Sequence, residues 1–414
     1  MKHSYYLLWS SYLISKIGDW LYLIALPLII YQKTDSAFQM ATVYGIAFIP
    51  WLFFSLFGGF LADSFNKKNL IILGHFLSAF FVIALTILLT ADNINLLLIY
   101  IGVFCLSSIE PLIHPSFHSM IPSIVEKEKI VHANSGLQLI ENTLNLIGPV
   151  IGGSILAFMG GEFALIVNAI SFVVAGLVTI FIKYDNVKID KKPKTQSIGK
   201  TILYDIKDGF KYVNFNKIIL FGSLLFFFTN LGIHLFQSNF MFYMADTLKL
   251  DSTLIGITMG ISGVGPILGA IIAPYLNRKF ASGKIILWCT VFAGAGMYVL
   301  LFATTFWEVA ISQAFVMFFG NINVITYFSL RQKVVPPELL GRVISVTRMI
   351  SYASIPLGAI LGGYALQAGI SIFLIIAIGA TIRTGVGLLG FLTPLGSAGN
   401  IDYTKEEPKL AKTK

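Results

Sequence analysis

Charge is scarce in this 414-residue chain: only 12% of residues are Asp, Glu, Lys or Arg, while 56% are hydrophobic. Soluble globular domains carry about 25% charged residues, so this composition and a mean hydropathy of +0.81 exclude a water-soluble enzyme or binding module. Cysteine is scarcer still. Cys105 and Cys289 both fall inside apolar runs, where a small buried core residue is the ordinary role, so no disulfide and no thiolate metal site is expected. Polar stretches are short everywhere except 184–216. Catalytic signatures are missing: there is no H-E-x-x-H and no G-x-S-x-G, and Lys194 stands where a phosphate loop ending in Gly199-Lys200-Thr201 needs its first glycine. Neither an enzyme nor a cofactor is expected. A cleavable leader is not expected either, because Lys16 and Asp19 interrupt the first apolar run and no small-residue cleavage site follows.

What the chain has instead is apolar runs of membrane length. A helix crossing the bilayer needs roughly 20 such residues. Runs of that kind occupy 7–31, 40–62, 69–90, 95–118, 133–158, 163–183, 217–243, 254–276, 284–304, 307–330, 341–366 and 371–393. The expected fold is an all-α membrane protein of twelve transmembrane helices: six in 1–183, a linker at 184–216, six in 217–393 and a tail at 394–414. With the N-terminus inside, 24 of the 29 Lys and Arg fall in cytoplasmic segments, Lys33 and Lys249 fall outside, and Lys16, Arg348 and Arg383 lie within spans. That asymmetry follows the positive-inside rule and predicts a multi-pass cell-membrane protein with both termini and the linker in the cytoplasm. The net charge of +9 then calls for no nucleic-acid partner. Within the linker, 199–215 puts Ile202, Leu203, Ile206, Phe210 and Val213 on one helical face, the pattern of an amphipathic helix lying on the inner leaflet.

Between the second and third runs stands Gly59-Phe60-Leu61-Ala62-Asp63-Ser64-Phe65-Asn66-Lys67-Lys68. Gly58 and Gly59 allow a neighbouring helix to approach, Asp63 puts a carboxylate at the membrane edge, Asn66 tolerates a left-handed reversal, and Lys67 and Lys68 hold the turn inside. The stretch resembles G-x-L-A-D-R-x-G-R-K, the signature loop of major facilitator superfamily transporters, with Ser64 in place of the arginine and Asn66 in place of the glycine. In the fifth run, Gly148-Pro149-Val150-Ile151-Gly152-Gly153 resembles the end of the antiporter signature of proton-coupled exporters, with Leu144 where a preceding glycine belongs. Gly18-Asp19, Ile24-Ala25-Leu26-Pro27-Leu28, Ala133-Asn134 and Pro337-Glu338-Leu339-Leu340-Gly341-Arg342-Val343 resemble the branch of macrolide-efflux proteins and the enterobactin exporter; the likeness covers 5–393. A faint internal repeat accompanies it. Pro122 leads to Gly152-Gly153, as Pro336 and Pro337 lead to Gly362-Gly363, and duplicated six-helix halves are a common transporter plan.

Ionisable groups inside spans are functional candidates, since an unpaired charge at mid-bilayer costs at least ~3 kcal/mol on insertion scales. Asp19 lies about 18 Å along the first helix from Leu7, near the midplane, and is the first choice for a proton-coupling group. Its alternative role is a structural pair with Lys16 at i−3. Glu141, beside the Gly-Pro bend, ranks second and Glu110 third. His114 and His118 follow Glu110 at i+4 and i+8, but three ligands on one helix containing Pro111 and Pro115 make a poor tetrahedral cage, so no metal is expected. His75 and His234 are read as helix-packing residues.

The resemblance implies that the first, fourth, seventh and tenth spans line a central cavity. They would offer Tyr22, Phe227, Phe228, Asn230, Phe236, Gln237, Asn239, Gln313, Asn321, Asn323 and Tyr327, with Arg348 of the eleventh span as a counter-ion or anion contact. Aromatic surfaces with a few amides suit a bulky amphiphile better than a sugar, or than a small anion that needs paired arginines. The resemblance further implies gating by Gly59, Asp63, Lys67, Lys68, Gly148, Pro149, Gly152, Gly153 and Arg342, with Asp63 approaching the start of the eleventh span. The expected protein is a monomeric, proton-coupled exporter, by antiport, of a macrolide-like compound; the alternative is a siderophore or lipid exporter. A channel is disfavoured, because no repeated filter sequence and no pore charge ring is visible.

Overall fold

The computed structural model describes residues 3–91, 94–126, 129–184 and 198–399, apart from some side chains within the second, fifth, seventh and fourteenth helices. Among these residues the secondary structure is entirely helical. The first six helices are α1 His3–Thr34, α2 Ala37–Ser64, α3 Lys67–Thr90, α4 Leu96–Ile124, α5 Ile130–Met159 and α6 Gly161–Ile180. A shorter helix, α7 Ile198–Phe215, follows. The second set comprises α8 Lys217–Gln237, the single turn α9 Phe240–Phe242, α10 Ser252–Ser262, α11 Val264–Lys279, α12 Ser282–Val299, α13 Phe306–Val334, α14 Pro337–Gln367 and α15 Ile372–Gly390. Among the described residues eleven passes are long and apolar enough to cross a membrane, and α5, 30 residues long, runs beside them against α1 and α10.

Local chemistry sets where the helices begin. Ser36, Asn95, Asn216, Asp251 and Ser371 each accept a hydrogen bond from the backbone N–H three residues on, and Thr305 with Glu308 forms a capping box at the start of α13. Asn66 does the same for α3, with an extended backbone at φ −65° and ψ 114°. The left-handed turn expected at Asn66 is thus replaced by a cap. Among the described residues, the non-glycine residues with positive φ are Asp35 and Lys249, at the opposite end of the bundle. The seventh run, expected as one helix over 217–243, is interrupted at Ser238–Asn239 and resumes through a π-helical turn, Tyr243–Thr247. The eighth is interrupted at Gly263, between α10 and α11.

Small residues let the helices meet backbone to backbone. A Cβ on Gly58 would come within 3.1 Å of the Leu112 carbonyl oxygen on α4. The two Gly-Gly pairs of the repeat do parallel jobs. Gly152 backs onto α1, 3.1 Å from the Trp20 carbonyl oxygen to a built Cβ, while Gly153 faces the other half, 2.6 Å from Gly256 Cα on α10. Gly362 backs onto Leu235 of α8, while Gly363 faces Ala41 Cβ on α2 at 2.6 Å. Side-chain contacts between the halves include Tyr31 with Phe242, Phe38 with Tyr364, and Tyr44 and Phe48 with His234. These crossings gather at the end of the bundle remote from α7. Around the outside, Phe80, Ile87, Leu97, Phe302 and Leu392 are more than half exposed, an apolar surface that a bilayer covers.

The linker helix differs from the expected pattern. Phe210, expected on its apolar face, is exposed, whereas Tyr212 and Val213 are buried against Ile219 of α8 and Val343 and Val346 of α14. Asp208 accepts from Arg342 Nη1 at 2.7 Å, and Tyr212 donates to the Val334 carbonyl at 3.1 Å. The helix docks on protein through one edge; Ile202 and Leu203 have side chains outside those described.

Candidate functional site

Two cavities lie side by side in the bundle, and Trp20 of α1 lines both. The first, about 390 Å³, belongs to the N-terminal six helices. Tyr12, Lys16 and Asp19 reach it from α1 at spacings of four and three, one face of a helix. Lys16 Nζ donates to Asp19 Oδ2 at 3.0 Å and to Glu110 Oε1 of α4 at 2.8 Å. Tyr12 donates its phenolic proton to Glu141 of α5, and Lys16 also stands 5.6 Å from the centre of the Tyr12 ring. The three acids ranked from the sequence therefore share one chamber with a single lysine. His75 closes it from α3, with its Nε2 3.2 Å from Ser11 Oγ and its ring edge-on to Phe117.

The second cavity, about 490 Å³, belongs to the C-terminal helices and takes Tyr44 from α2. Asn230, Gln237, Gln313 and Asn323 line it, as does Asn321. Their amides are already engaged: Gln313 Nε2 donates to Gln237 Oε1 at 3.2 Å, Asn230 to the Ser351 carbonyl at 3.0 Å, and Asn323 to Thr290 Oγ1 at 2.7 Å. Tyr44 OH meets His234 Nδ1 at 3.2 Å, tying α2 to α8.

The remaining sequence candidates sit elsewhere. Tyr22 lines the first cavity, not the second. Phe228 is exposed and outside both linings. Tyr327 is buried beneath Gly222, its hydroxyl donating to the Ile219 carbonyl at 3.1 Å and its ring stacked on Phe226. Arg348 is exposed on α14 and lines neither cavity. Lys67 and Lys68 open α3, and Arg342 is held by Asp208. Gly59 and Asp63 fall within α2 and Pro149 within α5, with side chains outside those described. Gly148 packs under the Trp20 ring. Among the described residues no group of three His, Cys, Asp or Glu side chains is placed to hold a metal ion.

Two participants were not anticipated. The Lys16–Glu110 pair joins residues 94 apart in sequence, which no local spacing reveals. Arg383 of α15, placed from the sequence only within a span, is buried and lines the second cavity.

The profile of the transmembrane secretion effector family matches residues 1–411. The chain belongs to this major facilitator family. It is similar to the multidrug efflux pump Tap of Mycolicibacterium fortuitum, at 23% identity over 352 residues, covering 84% of this chain and 85% of that protein. It is also similar to the MFS-type transporter YfiS of Bacillus subtilis, at 24% over 393 residues, covering 92% and 90%. Among solved structures it shares the fold of the nucleoside transporter NupG, with a TM-score of 0.79 at 15% identity over 94% of this chain and 99% of that one. A bacterial ferroportin homologue in the inward-facing state matches with a TM-score of 0.69 at 18% identity over 94% and 98%. The protein is thus a multi-pass major facilitator transporter of small molecules, not an enzyme.

Proposed function

We propose that this major facilitator protein exports a bulky amphiphilic compound, macrolide-like in size, across the cell membrane in exchange for protons. The observation that carries the proposal is the shared lysine: one ammonium, Lys16, stands against two carboxylates, Asp19 and Glu110, in a cavity within the membrane. The trio carries one negative charge more than it balances. Desolvation penalises that excess charge, and one proton removes it. Lys16 can stay with Glu110 while Asp19 takes up and releases the proton, so Asp19 remains the first choice and Glu141, already bonded to Tyr12, the second. Export as the direction is supported by the likeness to a multidrug efflux pump and by the Gly148-Pro149 signature on α5. At the α7 end, Asp63 would engage the start of α14 near Arg342 in one state and release it in the other, with Gly59, Lys67 and Lys68 shaping that turn.

The test is transport in proteoliposomes. An imposed pH gradient should drive accumulation of a labelled macrolide such as erythromycin, and an uncoupler should abolish it. Asp19→Asn should lose the gradient-driven component and keep downhill exchange. Gradient-driven transport by Asp19→Asn at the native rate would remove Asp19 from the coupling role.

A further inference from the structure

Arg383 is 2% exposed and reaches the second cavity from α15. Its Nε and Nη1 are buried with no hydrogen-bond partner, and no described carboxylate pairs with it. The other buried or half-buried arginines each have a side-chain partner, although Arg331 Nε is also unbonded. Arg331 donates to Thr347 Oγ1 at 2.7 Å and lies 4.7 Å from the centre of the Tyr327 ring; Arg342 has Asp208. A guanidinium does not shed its proton in a protein, so the charge of Arg383 persists. A buried charge without a partner is among the costliest features a bundle can carry.

The surroundings indicate what partner is missing. The lining of this cavity contains no Asp or Glu, in contrast to the first cavity with its three. Thr229 also presents a hydroxyl without a partner, and Phe226, Phe236 and Met297 supply apolar wall. One fixed cation in a chamber of about 490 Å³ that has no acidic side chain, with amides and apolar wall around it, matches an amphiphile that carries one acidic group. The planar fork of the guanidinium suits a carboxylate, sulfonate or phosphate through paired N–H donors.

We infer that the second cavity binds the anionic group of an amphiphile through Arg383, opposite the acidic cavity across Trp20. This extends the proposed function to amphiphiles that carry an acidic group, which erythromycin lacks, and it rests on that reading only for the claim that the occupant is transported.

Binding is therefore measured without any gradient, on the purified full-length protein in dodecyl maltoside, using cholate and its uncharged methyl ester as probes. Cholate should bind more tightly than the ester. Arg383→Gln should weaken cholate about 10- to 100-fold, the range expected for a lost charge-assisted pair, and leave the ester unchanged, with Arg383→Lys between. Equal binding of acid and ester, or a preference for the acid that survives in Arg383→Gln, overturns the proposal; so does an equal loss for both probes, which marks a structural arginine. Should Arg383→Gln fail to fold, acid against ester on the native protein and on Arg383→Lys decides the matter. Short-chain phosphatidylglycerol as competitor identifies the source: displacement of cholate means a lipid headgroup, and no displacement means a free amphiphile. A failure of proton coupling leaves this experiment unaffected.

Discussion

At the scale of single residues the chemistry turns on how one lysine is divided between two acids. With Lys16 removed, Asp19 and Glu110 would face each other uncompensated, so Lys16→Gln should lose both transport and thermal stability. The side chains are 21% to 37% exposed, which keeps the cost to a fraction of the ~3–5 kcal/mol seen when a fully buried pair is broken. The second change decides the roles. If Asp19 carries the proton, Lys16→Gln with Glu110→Gln returns the site to one excess carboxylate and should restore stability and gradient-driven transport together. If Asp19 is only a structural partner, Lys16→Gln with Asp19→Asn is the pair that restores transport. Melting temperature and proteoliposome flux of the two double variants separate these outcomes. The Asp19–Lys16 contact could be read from its spacing, because i,i+3 neighbours share a helix face. Glu110 and Arg383 could be seen to lie within spans, but not what they face. That depends on helix rotation, which twelve uniformly apolar segments leave undetermined.

Among the helices, glycine placement governs where the halves meet. Run lengths alone located the helices, the fourth running six residues beyond the expected 118 to Ile124, because each run must cover the same thickness of bilayer. The interruptions at Ser238–Asn239 and Gly263 left no gap in hydropathy and were not legible. Neither was the docked edge of α7, since Phe210 and Val213 are equally apolar and only the position of α14 makes one exposed and the other buried. The Gly-Gly repeat, by contrast, was visible, and the structure gives it a geometry: the first glycine of each pair backs onto its own half and the second faces the other. Gly153→Ala would drive a methyl group to 2.6 Å from Gly256 Cα, where backbone leaves nothing flexible to yield, at a cost of about 1–3 kcal/mol of overpacking. This crossing joins the halves at the end remote from α7, so the variant should insert and fold yet transport poorly, with faster labelling of the cavity from that end. Gly256→Ala should behave alike. The check is cysteine labelling at Gln237 in each variant; native flux and native labelling together would show that the crossing has slack.

For the whole molecule, the open question is which way the bundle sits, because the fold is the same either way up. The charge pattern answers from sequence: Lys67, Lys68, Arg278, Lys279, Lys284, Arg331, Lys333 and Arg342 all lie at the α7 end, while Lys33 and Lys249 lie at the other. Basic residues resist translocation, so the α7 end should be cytoplasmic. For the proposed exchange, that orientation also decides whether a proton entering the Asp19 chamber from outside would move inward as substrate moves out. Cysteine scanning tests it directly. Cys289 is buried and Cys105 only partly exposed, so a Cys105→Ser background has little native reactivity. In that background, Lys33→Cys and Thr304→Cys, both exposed at the remote end, should react with a membrane-impermeant maleimide on intact cells. Lys284→Cys and Lys333→Cys, exposed at the α7 end, should react only after permeabilisation. A single reversed site would place an error in the span count near it. Reversal of all four would invert the molecule, and with it the assignment of export.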